Sequence, residues 1–350
     1  MSLEKTRLFV LGAGFSVSAG IPMTNSLLSG ALERMRRECN GIYQRIESSA
    51  HTCFENNLPL SDQCLDAGGF SKLSSFLHYI EMRNFGGGER WSDAGDRETL
   101  TLKYFISKEI SQITPKTIPE LYLAFAKQLD CYDLVMTFNW DCLLEKAMKV
   151  AGKNYTYNPF DLDWVNPENE NTVRIIKMHG SINWTLPHDE PPDLRIYQSI
   201  GFEPNFGIKP VFFSEELMNS EPWRTNDWLM RTNPSKFLVQ PFIILPGIGK
   251  SYEVRKLASL WDRPSAAFLC SRDVYIIGLS LSEDDFFVRF LFLESLPLND
   301  WGAIQRQTVI INPSGEDIAN YRFVPEERKT VRQKPFDNND IDYIIEQRTR

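Results

Sequence analysis

The chain has 350 residues, enough for two ordinary domains or for one large α/β domain with insertions, which excludes a peptide or a disulfide-held miniprotein. Hydrophobic residues at 42% and charged residues at 24% are globular proportions and exclude a fibrous or disordered chain. With 38 basic against 46 acidic residues the net charge is −8, so no overall positive field favours nucleic acid or an anionic membrane surface.

Taken in chain order, Met1-Ser2-Leu3-Glu4-Lys5 has no signal-peptide character. No apolar run approaches the roughly 20 residues of a membrane span, and a cytoplasmic protein without membrane contact is expected. Arg7 to Gly12 is a short apolar run ending in glycine, and Leu27, Leu28, Leu32 and Met35 follow at helical spacing, which reads as strand, loop, helix. The same signature recurs at Asp133 to Phe138 before Leu143 to Val150, and at Phe242 to Leu245 before Val254 to Cys270. It recurs again at Val274 to Gly278 before Asp284 to Leu293, and at Thr308 to Asn312 before a short helix from Glu316. Val173 to Met178 supplies a sixth strand. Alternating buried strands and helices predict βαβ units, hence a Rossmann-like α/β fold with a mainly parallel sheet flanked by helices.

Two stretches break the alternation. Residues 39–118 are richer in polar helix formers and read as a helical insertion, with a mobile loop at 84–97 around Gly86-Gly87-Gly88. Residues 186–235, rich in Pro, Asn and Trp, read as an irregular lid or interface insertion. The expected Rossmann domain is therefore assembled from 1–38, 119–185 and 236–322, with 323–350 as a charged C-terminal tail that can pack on a partner chain.

The six cysteines, at 39, 53, 64, 131, 142 and 270, form no Cys-x-x-Cys pair, so reduced thiols and no metal are expected. Cys131 and Cys142 flank a strand and read as small buried hydrophobes.

Three segments can carry chemistry. Gly12-Ala13-Gly14-Phe15-Ser16 follows the first strand and opens into Ile21-Pro22; its glycines let backbone approach a phosphate, although a ligand-free tight turn needs the same glycines. The dehydrogenase fingerprint fails because its third glycine falls on Val17, and no second strand ends in a ribose-binding acid about 20 residues on. Thr137-Phe138-Asn139-Trp140-Asp141 ends a strand at the sheet edge where open α/β sheets place ligands, while Asn and Asp there also suit helix capping. His179, in Lys177-Met178-His179-Gly180-Ser181, ends another strand; it titrates near neutrality as a general base does, with a following glycine that keeps its surroundings open, though a lone histidine is also often structural. His51, His78 and His188 lie in the insertions.

In this order the three segments resemble the sirtuin-like family, in which a Gly-Ala-Gly-x-Ser loop, a Thr-x-Asn-x-Asp strand end and a His-Gly step build one NAD pocket. The resemblance extends to Gly278 and Ser280 in Ile277-Gly278-Leu279-Ser280, and to Asn312 in Ile310-Ile311-Asn312-Pro313. It implies that Gly12, Ala13, Gly14, Phe15, Ser16, Ile21 and Pro22 surround the dinucleotide, with Gly278 and Ser280 against the adenosine and Asn312 at the adenine ribose. It further implies that Asn139 holds the nicotinamide ribose or a water, that Asp141 accepts from the nicotinamide carboxamide, and that His179 takes the proton.

Deacetylating members carry a four-cysteine zinc module after the His-Gly step, whereas only Cys270 follows His179 here. Phe138 stands where deacetylases have Gln, and Met23-Thr24-Asn25 replaces Asp-Phe-Arg. The resemblance is thus to zinc-free sirtuin-like NAD hydrolases of bacterial antiphage systems. It implies an NAD glycohydrolase with NAD as substrate and no metal, working as a homo-oligomer or beside a defence partner such as an ATPase. Rival readings are an NAD or ADP-ribose sensor without turnover, ADP-ribosyl transfer or deacylation, and a nucleoside triphosphatase using Pro246-Gly247-Ile248-Gly249-Lys250-Ser251. The last lacks the first Walker glycine, since position 244 is Ile.

Overall fold

The computed structural model describes residues 6–55, 57–60, 68–84, 96–157, 172–186, 203–204, 212–213, 240–250, 253–254, 257–261, 264–282, 285–296 and 307–349. The expected loop at 84–97 and the insertion at 186–235 lie largely outside these residues, as does His188.

The centre is a seven-stranded, all-parallel sheet. Its strands are β1 (Arg7–Leu11), β2 (Asp133–Thr137), β3 (Asn154–Thr156), β4 (Thr172–Lys177), β9 (Asp273–Ile277), β10 (Gln307–Ile311) and β11 (Lys329–Arg332), in the order β11-β10-β9-β1-β2-β4-β3. Every residue of β1, β2 and β9 is buried, as strands covered on both faces require, and their near-continuous Val, Ile, Leu and Phe content reflects this. Phe9 of β1 stacks on Tyr275 of β9 at 5.1 Å. The order reverses around β1, where the chain runs outward on one side through β2 and on the other through β9, and such a reversal opens a crevice at the carboxyl ends of the strands.

A second sheet of four strands is antiparallel, with β5 (Gly180–Leu186) central, β8 (Gln240–Ile243) on one side and the two-residue strands β7 (Phe212–Phe213) and β6 (Glu203–Pro204) on the other. The apolar run at 242–245, expected in the parallel sheet, therefore pairs with β5 instead. A short apolar run looks the same in either setting, so periodicity alone does not separate them.

Helices α1 (Ala13–Val17), α2 (Thr24–Glu38), α3 (Asn40–Phe54), α4 (Gly69–Asn84) and α5 (Asp96–Ile113) all lie between β1 and β2 in the chain. The last four enclose a second hydrophobic core, to which Leu28, Leu32 and Met35 of α2, Ile46 of α3, Leu73 of α4 and Ile106 of α5 contribute. Cys142, Ile182 of β5 and Ile243 of β8 extend that core, so the helical group is packed against the antiparallel sheet. On the sheet, α6 (Glu120–Gln128) and α7 (Leu143–Val150) pack together, and α8 (Ala258–Trp261), α9 (Pro264–Cys270), α10 (Phe286–Ser295) and α11 (Gly315–Ala319) follow. The segment after residue 322 adds β11 to the sheet edge, and α12 (Asn338–Thr349) buries Ile341 and Ile344 and contacts α6. No helix among the described residues is long and apolar enough to cross a membrane.

Candidate active site

Register places the site. Leu11, Thr137 and Lys177 stand level in adjacent strands, so the residues two positions on, Ala13, Asn139 and His179, leave the sheet side by side. They border one cavity of about 250 Å³, together with Ser16, Ile21, Pro22 and Asp141. Phe70 and Ser71 of α4 and Ile110 of α5 close its far side, so the cavity lies between the sheet and the helical group.

Its floor is a hydrogen-bonded chain. Asn139 Nδ2 donates to Gly12 O at 2.9 Å and to Ser16 Oγ at 3.2 Å, and Ser16 Oγ donates to Asp141 Oδ2 at 2.9 Å. Asp141 Oδ1 accepts from Leu143 N at 3.0 Å, which ties it to the start of α7. Burial raises the Asp141 carboxyl above the usual range, while Lys177, the Leu143 amide and Ser16 oppose the shift. Beneath it Lys177 Nζ donates to Asp141 O at 2.5 Å and to Glu145 Oε1 at 2.9 Å, and Tyr157 Oη donates to the same carboxylate at 2.9 Å. A buried ion pair thus holds the Asn139–Asp141 turn from below.

His179 is held at its backbone and flanked by two aromatic rings. Its carbonyl accepts from Ile244 N at 2.9 Å, Phe138 meets its ring edge-on at 5.1 Å, and Trp261 stacks over it at 6.4 Å. Gly180, whose φ is +74°, follows it; a Cβ there would lie 2.1 Å from Phe242 O, so the close approach of β8 demands glycine at this step. The glycine after His179 therefore serves this turn and not an opening around the ring. Burial pushes the imidazole down to about 3, with Lys250 adding to the effect while Asp285 and a hydrogen bond to the Phe138 backbone oppose it. The ring is neutral at pH 7, and buried Nε2 has no hydrogen-bond partner.

The glycine loop has a different task from the cavity wall. Gly12 N donates to Ile277 O at 3.0 Å and Gly14 N to Gly278 O at 2.9 Å, and a Cβ on Gly14 would sit 2.7 Å from Gly278 Cα. Gly278, at φ +63°, leaves no room for a Cβ, which would lie 2.3 Å from Phe15 N. Gly12, Gly14 and Gly278 thus form a backbone clasp between the ends of β1 and β9. Phe15 points away into the core against Tyr122, Phe125 and Phe336, and Tyr122 Oη donates to its carbonyl at 2.7 Å. Asn312 uses its amide on Leu279 O at 3.2 Å and its carbonyl on Ser314 N at 2.9 Å, and Ser280 O accepts from Asn320 Nδ2 at 2.9 Å. Gly12, Gly14, Phe15, Gly278, Ser280 and Asn312 are therefore not on the wall of this cavity.

Two wall residues were not singled out as a pair in the sequence. Lys250 follows β8 and forms an ion pair with Asp285, which caps α10 by accepting from Val288 N at 3.2 Å. The P-loop resemblance of residues 246–251 loses its context here, because β8 belongs to the antiparallel sheet and the lysine is committed to a carboxylate. Asp285 had a legible signal, an acidic residue directly before an apolar helix. Among the described residues no group of His, Cys, Asp and Glu is arranged to hold a metal.

Residues 133–232 match the family model described as a SIR2-like domain. No curated protein matches the chain. The structure is similar to a Sir2 in complex with the inhibitor EX-527, 2′-O-acetyl-ADP-ribose and a deacetylated p53 peptide, at 12% identity over 98% of this chain and 94% of that one, with a TM-score of 0.41. It is similar to a Sir2 from work on the mechanism and regulation of Sir2 enzymes, at 12% identity, 99% and 94% coverage and a TM-score of 0.42. A Sir2 with p53 peptide and NAD+ gives 11% identity, 99% and 95% coverage and a TM-score of 0.38. These are likenesses at low identity and low TM-score, and they assign this chain no activity.

Proposed function

We propose that the protein is an NAD glycohydrolase that cleaves NAD to nicotinamide and ADP-ribose. The observation that carries this reading is the buried, unpartnered Nε2 of a neutral, half-buried His179 in the same cavity as Asn139 and Asp141. At about 250 Å³ the cavity is slightly below the roughly 300–1,000 Å³ of drug-sized ligand pockets, so it suits one end of a dinucleotide.

In the reaction, water adds to the ribose C1′ as the C1′–N bond breaks, and nicotinamide leaves with the bonding electron pair. His179 Nε2 takes the proton of the attacking water or of a ribose hydroxyl that relays it. Asn139 keeps its carbonyl oxygen for orientation, since its amide is spent on Gly12 and Ser16. Asp141 is the acceptor for the carboxamide of nicotinamide, and the walls from α4 and α5 keep bulk water from the oxocarbenium-like ribose. The wider setting, an NAD-depleting effector of a bacterial antiphage system acting as a homo-oligomer or beside a partner such as an ATPase, rests on the motif resemblance.

One observation favours the second reading, NAD or ADP-ribose binding without turnover: a histidine pushed to about 3 is a weak base at pH 7. Nicotinamide release from NAD, with the parent chain and with Asn139→Ala and His179→Ala, separates the two. Turnover lost at least about 100-fold in both variants supports hydrolysis. Binding of ADP-ribose with no release by the parent supports the sensor, and parent-like release by both variants removes the assigned site.

A further inference from the structure

The cavity wall holds an arrangement that the resemblance does not include. His179 Nε2 lies 3.7 Å from Asp285 Oδ2, and the same carboxylate oxygen is bound by Lys250 Nζ. All three side chains are on the wall, on three separate pieces of chain: the end of β4, the loop after β8 and the N-cap of α10. Lys250 has a side-chain exposure of 7%, so its charge is confined to this pair. The remaining groups around the imidazole are the Phe138 and Trp261 rings and the Phe138 backbone, so Lys250 and Asp285 are the charged groups that face it among the described residues.

Once the ring hydrogen-bonds the Phe138 backbone, its free Nε2 looks toward Asp285, and a proton arriving there lands beside the carboxylate. We propose that Asp285 is the positioning residue for His179, stabilising the imidazolium formed when Nε2 takes a proton, and that Lys250 is the opposing partner that holds this carboxylate and adds to burial in keeping the ring neutral at rest. This rests on the base role assigned to His179 above and deepens it. Coulomb attraction at this separation, in a wall largely removed from water, far exceeds its value in solvent. Lys250 offsets that attraction by its own charge. A base that is neutral at rest and strengthened when the lysine is drawn off is thereby built into one ion pair.

The test reads the ring itself, in the full chain without substrate. Imidazole ¹⁵N shifts are followed from about pH 4.5 to about pH 8, the window that brackets an ordinary histidine. The parent ring stays neutral throughout. Lys250→Met brings a protonation step into the window. Lys250→Met combined with Asp285→Asn abolishes that step while removing both charges together, and Asn retains the helix cap. Asp285→Asn alone lowers kcat for NAD cleavage at least about 10-fold with KM within about 2-fold. A Lys250→Met ring that stays neutral, or a double variant that still titrates, overturns the proposal even in an active enzyme. A parent that releases no nicotinamide removes the glycohydrolase reading, and a ring that still responds to the two substitutions then upholds the pair as the element setting the charge on His179.

Discussion

Ser16 and Asp141, 125 residues apart in the chain, share a hydrogen bond of 2.9 Å that links the helix after β1 to the turn after β2. Both are buried, and the hydroxyl also accepts from Asn139, so one oxygen fixes two of the residues assigned to substrate. Ser16→Ala leaves Asp141 Oδ2 and Asn139 Nδ2 each short of a partner. The expected cost is about 1–3 kcal/mol, read as a lower denaturant midpoint, and the Asp141 carboxyl moves further above its usual range. On the proposed glycohydrolase reading, nicotinamide release falls with it. A variant with parent stability and parent release would show that this bond organises nothing.

The glycine clasp predicts a contrast between two substitutions of the same kind. Gly20 and Gly278 both have positive φ, +85° and +63°, but a Cβ on Gly20 meets nothing within 4 Å, whereas one on Gly278 strikes the Gly14 and Phe15 backbone. Gly20→Ala is expected to cost about 1 kcal/mol, the local strain of a left-handed residue. Gly278→Ala must also push two strand ends apart and is expected to cost at least about 3 kcal/mol or to prevent folding. Equal thermal midpoints for the two variants would contradict the clasp.

Stability falls with acid through His179. In the unfolded chain the imidazole titrates near 6.5, and in the fold at about 3. Between these values the unfolded chain binds a proton that the folded chain refuses, so the contribution is complete above about pH 6.5 and is lost as pH falls toward 3. The slope is at most about 1.4 kcal/mol per pH unit. His179→Gln flattens the stability profile between about pH 7 and about pH 5 relative to the parent, measured by denaturant unfolding at each pH. Identical slopes would place the histidine in solvent.

The strands that build the site were legible in the sequence because they are buried on both faces. Arg7–Leu11, Asp133–Thr137 and Asp273–Ile277 read as apolar runs, and their ends fall within a residue of expectation. Ala13, Asn139 and His179 were legible for the same reason, each standing just beyond such a run. β11, Lys329–Arg332, was not legible, because an edge strand with half-exposed, charged side chains carries no apolar signal. Lys177 and Glu145 carry no sequence signal of pairing and form a buried pair at 2.9 Å, a partnership that appears only when β4 and α7 are packed together. Lys250 and Asp285 meet across 35 residues by the same route.

The clasp of Gly12, Gly14 and Gly278 also separates two kinds of heredity within one motif. These glycines answer to backbone packing, so a descendant that gave up chemistry would still keep them, while its histidine and asparagine drifted. In a family tree of such chains the glycines would trace the architecture, and, on the proposed reading, His179 with Asn139 would mark the branches that turn over NAD.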